Sequence, residues 1–393
     1  MADQASSKRV AAAGGGDRLS ALPDELLHSI MSFLPARQVV QTSVLSPRWR
    51  GLWRSTPCLD IDHREFAATP SAAAAAAAIV RRGTPDQVTW AKLLDFTAGL
   101  LDKHDAPVLD RFRLHVGAWC DGNVVGDWIR RGIGRYHLAA LEVTVASSSS
   151  LLPLPRLVPA DAAAACRRLA RMRLCGVRVD GTFAAQLRAG GGCPVLEDLV
   201  LTRCYCTFQE IVSSTLKSLA IEGCQCPSSL SLSRTVAAPA LASFRLELQK
   251  NTRQDAFLVN GEACGSLSHA SISCEHNVCF FLNKNLFTLL GTLCNVTTLE
   301  LWKFGYGTNV PSLEKITLKH CQYSSSVIRK RKIATRYKNL LCYNYQDLKL
   351  IGIKYKDTNT SNLFGLLMGI RMKLEANTVI LNKELIKDKL NMH

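Results

Sequence analysis

The chain has 393 residues, 47% hydrophobic and 20% charged, with 48 Lys+Arg against 32 Asp+Glu and a formal charge of +16. That apolar content excludes a mostly disordered polymer, and the length provides for two or three domains with a sizeable core. No run reaches the ~18 uninterrupted apolar residues that span a bilayer, and the N-terminus lacks the apolar centre of a secretory signal. A soluble chain of the cytoplasm or nucleus, with no membrane partner, is the expectation. Its 15 cysteines then read as small buried hydrophobes or, in clusters, as metal ligands. The charge is unevenly spread: residues 324–393 carry 14 Lys+Arg and 5 Asp+Glu, a net +9, and the other 323 residues carry +7.

Residues 1–16 are small and Gly/Ala-rich and read as a disordered leader. Residues 17–62 change character. Pro23 suits a first helical turn, with Asp24 and Glu25 at its positive end. Leu26, Ile30, Phe33 and Leu34 then recur on one stripe, and Pro35 ends the helix. Arg37 to Leu45 supplies a second helix, with Val40 and Val44 on one face. Ser46-Pro47 opens a third, as N-cap and first-turn residue, carrying Trp49, Leu52 and Trp53. Three short helices make a marginal core by themselves, so docking on a partner is a plausible source of stability.

In this segment Leu22, Pro23, Glu25, Leu26, Ile30, Leu34, Val44, Leu45, Ser46 and Trp49 stand in the order and spacing of an F-box. The chain is similar there to F-box proteins. The resemblance implies that Leu22, Pro23, Leu26, Ile30, Leu34 and Trp49 dock the Skp-family adaptor of a Skp–cullin–F-box ubiquitin ligase, and through it the cullin. Leu27, Val40, Val44 and Trp53 are expected to hold the helices together instead.

Residues 63–105 read as a helical connector, with an alanine run at 72–78 and a periodic stretch around Trp90, Leu93, Leu94, Phe96 and Leu100. From 106 to 323 a repeat appears, L-x-x-L-x-L, sometimes closed by x-x-C. Leu196/Leu199/Leu201/Cys204, Leu216/Leu219/Ile221/Cys224 and Leu313/Ile316/Leu318/Cys321 fit it fully. Looser copies begin at Leu109, Leu138, Leu169, Leu241, Leu267 and Val296. The intervals are 29, 31, 27, 20, 25, 26, 29 and 17 residues, against roughly 20–29 for leucine-rich repeats. One repeat cannot bury its strand face alone, so neighbours stack into a parallel sheet. The phrases CPVLEDLVLTRC and VPSLEKITLKHC resemble those of plant-type F-box/leucine-rich-repeat proteins. The fold expected is therefore α/β, a three-helix F-box followed by a leucine-rich-repeat solenoid with a curved parallel sheet.

Residues 324–393 read as an atypical basic tail. Asn occurs once in residues 1–250 and seven times here, and Ala almost vanishes. The switch is one that a different coding origin would produce. The resemblance implies further repeats and an FBD domain at this end, and neither is clear in the tail.

The remaining motifs are weaker. Cys204-x-Cys206 and Cys224-x-Cys226 occupy equivalent places in adjacent repeats, where four thiolates would suit zinc; the repeat role of Cys204 and Cys224 argues against it, and no metal or cofactor is expected. Arg329 to Lys332 is a short basic run, with Tyr337, Tyr343 and Tyr345 nearby, that faintly resembles an import signal or a nucleic-acid surface. No H-E-x-x-H, G-x-S-x-G or phosphate-loop pattern is present, so no enzyme is expected. The leading expectation is a non-catalytic receptor that presents an unknown protein substrate for ubiquitination. The alternatives are an interaction scaffold outside any ligase and, with less support, a nucleic-acid binder.

Overall fold

A computed structural model describes residues 19–67, 85–146, 152–154, 166–188, 192–226, 234–248, 257–274, 289, 292–293 and 295–302, with the strand backbones at 315–319, 350–356 and 378–384. The fold is mixed α/β. It opens with helices α1 (Asp24–Met31), α2 (Ala36–Gln41) and α3 (Trp49–Leu52). Next come β1 (Cys58–Asp62), α4 (Pro85–Lys103), β2 (Arg111–Val116), α5 (Gly122–Arg135) and β3 (Ala140–Val145). Then follow β4 (Leu152–Pro153), β5 (Arg171–Cys175), β6 (Val177–Val179), α6 (Gly181–Gln186), β7 (Asp198–Thr202) and β8 (Tyr205–Cys206). The chain continues through β9 (Glu210–Val212), β10 (Ser218–Glu222), β11 (Arg234–Ala237), β12 (Ser243–Leu248) and β13 (Phe257–Val259). The last strands are β14 (His269–Cys274), β15 (Thr298–Trp302), β16 (Lys315–Lys319), β17 (Leu350–Lys356) and β18 (Thr378–Glu384).

Twelve of these strands form one parallel sheet in the order β1-β2-β3-β5-β7-β10-β12-β14-β15-β16-β17-β18. The register follows the repeat without a slip. Leu219 faces Leu199 on one side and Phe244 on the other, and Ile221 lies between Leu201 and Leu246. A slip of one residue would turn every inward side chain to the opposite face, so the buried pattern fixes the pairing. The inward pairs Leu114/Phe112, Leu141/Val143, Met172/Leu174, Leu199/Leu201, Leu219/Ile221 and Phe244/Leu246 are buried, as are Ile272/Ala270 and Leu299/Leu301. At roughly 1.5–3 kcal/mol for each fully buried side chain, this continuous row dominates the core. The first leucine of each copy lies in the turn before the strand. There the backbone holds the preceding repeat: Ala139 N donates to Leu109 O at 2.9 Å and Lys217 N to Glu197 O at 2.8 Å.

Two expectations need correction. The sheet starts before residue 106, because Thr56, Leu59 and Ile61 take the template positions and β1 pairs with β2. Threonine at the first position hides that copy; its hydroxyl is buried and donates to Trp53 O. The tail, in which no further repeat was clear, also carries strands of the sheet. β17 and β18 continue the sheet in register, with Ile351 opposite Ile316 and Val379 opposite Ile351. In the sequence, Leu348-x-x-Ile351-x-Ile353 is a copy that the altered composition around it obscured.

Two further parallel sheets, β4-β6-β8 and β9-β11-β13, lie on the return paths between main strands and were not foreseen. The expected connector contains α4, on which Leu93 and Leu100 are buried. The alanine run, Leu313, Cys321, and the basic and tyrosine motifs at 329–345 lie outside the described residues.

Candidate functional site

The N-terminal helices carry two apolar faces. On α1, Leu27 and Met31 are sealed at 0% and 1% exposure. One step round the helix, Leu26 and Ile30 are 51% and 41% exposed, and Phe33 just beyond is 84% exposed. Residues three and four apart share a face, so Leu26, Ile30 and Phe33 make an outward stripe while Leu27 and Met31 face inward. The sequence stripe is real, but it points away from the core. Val44 and Leu45 are also exposed, at 85% and 59%. Large apolar side chains left in water on one short segment mark an interaction surface.

Local chemistry sets this arrangement. Pro23 occupies the N-cap of α1 in an extended conformation. Arg48 pairs with Asp24 at 2.6 Å, and His28 Nε2 reaches Leu52 O at 3.2 Å, so α1 is tied to the α3 end. α2 stops at Gln41 and tightens into a 3-10 turn at Thr42–Val44. That turn has about three residues per turn instead of 3.6, which shifts the phase. On α2 itself Val39 is buried and Val40 only partly so, and past the turn Val44 is exposed instead of internal.

Of the six expected docking residues, Leu26 and Ile30 are exposed, while Leu22 and Leu34 are partly buried against the core. Trp49 differs from the other five. It is 2% exposed, and its indole Nε1 donates to Ser20 Oγ at 3.0 Å. A one-turn helix has few residues with which to fill its inner side, and the Trp49 ring does so with its polar atom satisfied. Trp49 therefore positions the surface from beneath. Ser46 does not cap α3; its hydroxyl lies 3.2 Å from Ser20 Oγ. Phe33 belongs to the sequence stripe but not to the six expected docking residues, and spacing alone does not reveal its exposure.

The cysteines take the role the repeat gives them. The Cys204 thiol donates to Leu174 O and the Cys224 thiol to Leu201 O, both at 3.3 Å. Each thus closes the strand end of the previous repeat. The neighbouring Cys224 thiol and burial push Cys204 and Cys206 above the ordinary thiol range. Among the described residues, the group of three metal-type ligands whose atoms lie within 4.8 Å of one another is Asp62, His63 and His115, and the four thiols form no such group. That triad does not fit a metal either. The His63 and His115 rings stack at 5.2 Å with planes 5° apart, which turns ring faces, not nitrogen lone pairs, toward a common centre. Arg64 already holds both Asp62 oxygens. Burial pushes Asp62 up, but the Arg64 hydrogen bonds and charge outweigh it and hold the carboxyl below the usual range.

Comparison with known proteins agrees with this geometry. Residues 19–60 match the F-box domain. The chain is 33% identical over 265 residues to the rice protein "MEIOTIC F-BOX protein MOF", covering 65% of this chain and 51% of that one. It is 27% identical over 247 residues to F-box/LRR-repeat protein 13 of Arabidopsis thaliana, covering 55% and 48%. Within the helical segment, identity to an Arabidopsis F-box/FBD/LRR-repeat protein reaches 61% over 51 residues, 13% of this chain and 12% of the relative. Residues 19–60 thus make an F-box domain, and the chain is similar to plant F-box/leucine-rich-repeat proteins. It spans about half the length of these first two relatives.

Proposed function

We propose that this chain is the substrate-recognition subunit of a Skp–cullin–F-box ubiquitin ligase. In this reading helices α1–α3 are the three-helix F-box and the stacked strands a leucine-rich-repeat solenoid that holds a protein substrate. The observation that carries it is the outward stripe of Leu26, Ile30 and Phe33 beside sealed Leu27 and Met31. Leu26 and Ile30 are the docking anchors, Leu22, Pro23 and Leu34 shape their rim, and Trp49 supports them from below. A few buried aliphatic and aromatic anchors dominate such interfaces. The cullin joins through the Skp-family adaptor. The chain performs no chemistry itself: holding a substrate raises the effective concentration of its lysines near the ubiquitin thioester. It would work in the cytoplasm or nucleus.

The test is capture of purified Skp-family adaptor by the full chain and by Leu26→Ser/Ile30→Ser. Capture by the parent chain, reduced at least tenfold in the variant with an unchanged melting temperature, supports the reading. Undiminished capture overturns the docking assignment, and absence of capture by the parent chain overturns the function.

A further inference from the structure

The open face of the main sheet carries the side chains that alternate with the buried rows. In its middle register run Asp60, Arg113, Glu142, Arg173, Val200, Ala220 and Arg245, one from each successive strand. The first three satisfy one another: Arg113 binds Asp60 at 2.8 Å and Glu142 at 2.9 Å. The fourth does not. Arg173 is exposed, and its one acidic neighbour across the ladder, Glu142, is already held by Arg113. Arg171, two residues earlier on the same face, is exposed as well, and its backbone N–H donates to Ala139 O at 3.2 Å while neither guanidinium group meets an acidic partner among the described residues. Two residues further on, Cys175 receives the Arg203 guanidinium at 3.2 Å. Arg171, Arg173 and the Cys175 that Arg203 reaches therefore occupy every second position of β5, a strand repeat of roughly 6.6 Å. On one side the next two strands present the short side chains of Val200 and Ala220.

We propose that this strip binds an extended acidic peptide segment of the substrate, with carboxylates at alternate positions. An extended chain repeats every second side chain at the same ~6.6 Å, so its acids meet Arg171, Arg173 and Arg203 in step. Guanidinium forks bind carboxylates in two-point contacts. The small side chains of Val200 and Ala220 leave room for the peptide backbone beside them. Asp198 faces Arg171 across the ladder without contacting it, and its charge opposes an acidic ligand. The proposal rests on the substrate-receptor reading and gives that substrate a chemistry.

The experiment is fluorescence anisotropy of the full chain with a labelled peptide, Gly-Ser-Glu-Val-Glu-Val-Glu-Ser-Gly, against its Gln counterpart. The acidic peptide binds at least tenfold more tightly, Arg171→Ala/Arg173→Ala removes about tenfold of that affinity, and Asp198→Asn raises it. Binding also weakens as salt rises. Equal binding of the two peptides, or a double variant that binds like the parent, overturns the proposal. Adaptor capture is measured on the same samples: failure of the peptide with intact capture overturns this strip alone, whereas failure of capture with intact peptide binding overturns the ligase reading and leaves the strip standing.

Discussion

Where the chain leaves the main sheet, three equivalent residues adopt left-handed backbone: Gly176 at φ 71°, Arg203 at 51° and Gly223 at 59°. Glycine enters that region freely, whereas another residue there costs about 1 kcal/mol or more. At Gly176 space is closed too, since an added Cβ would meet Val145 O at 2.4 Å. Gly176→Ala should therefore cost about 3 kcal/mol, while Arg203→Gly should stabilise by about 0.5 kcal/mol, the relieved strain exceeding the lost contact to Cys175. Urea midpoints of both variants check the opposite signs. Burial also pushes His63, His104 and His115 below their ordinary value of 6.5. The unfolded chain then takes up protons first as pH falls. Stability that is complete above pH 6.5 should drain away below it, until the depressed folded values are passed. The guanidinium midpoint should fall between pH 7.5 and 5.5, and His115→Gln should flatten part of that slope.

At the scale of single elements, α1 shows what the sequence revealed and what it did not. Its stripe was legible because Leu26, Ile30 and Phe33 recur at helical spacing. Periodicity, however, says only that residues share a face, not whether core or water lies against it. Two adjacent apolar faces, one led by Leu26 and one by Leu27, carry the same signal in one sequence. The 3-10 turn after α2 defeated the reading of Val44 for a related reason, since a change of helical period leaves no compositional trace. The two α1 faces should separate cleanly in mutants. Leu27→Ala removes a fully buried side chain and should cost about 3 kcal/mol. Leu26→Ala should change stability by less than about 0.5 kcal/mol while weakening adaptor capture. Thermal melts and pull-downs on the same two proteins separate the effects, and a destabilised Leu26→Ala would contradict the outward assignment.

Across the whole molecule, the repeat was legible where apolar residues held every template position in ordinary surroundings, and hidden where a polar residue or a shifted composition intervened. Thr56 concealed the first copy, and the shifted composition concealed the copy at Leu348. The consequence is largest at the N-terminal end, because β1 serves the F-box segment and the sheet at once. The two are also joined across their boundary. Arg111 donates to Ser32 O at 2.7 Å, Asp105 N to Arg54 O at 2.9 Å, and buried His104 Nε2 to Thr56 O at 3.0 Å. The Arg37 guanidinium lies 4.9 Å over the Phe66 ring, which itself packs on Phe96. Such a seam should make the helices and the first strands unfold together, so that damage to the sheet is felt on the exposed stripe of α1. Phe112 is the residue with which to test it. Its side chain is fully buried, it sits in register between Leu59 and Leu141, and its ring approaches Gly132 so closely that an added Cβ would lie 3.0 Å away. Phe112→Ala should cost about 3–5 kcal/mol. Hydrogen exchange should then accelerate at Leu27 and Met31 on α1 as much as at β2, although no α1 residue has been changed. Unchanged protection on α1 would mean that the F-box helices fold apart from the sheet, and that the stability of the strands does not reach the exposed stripe of α1.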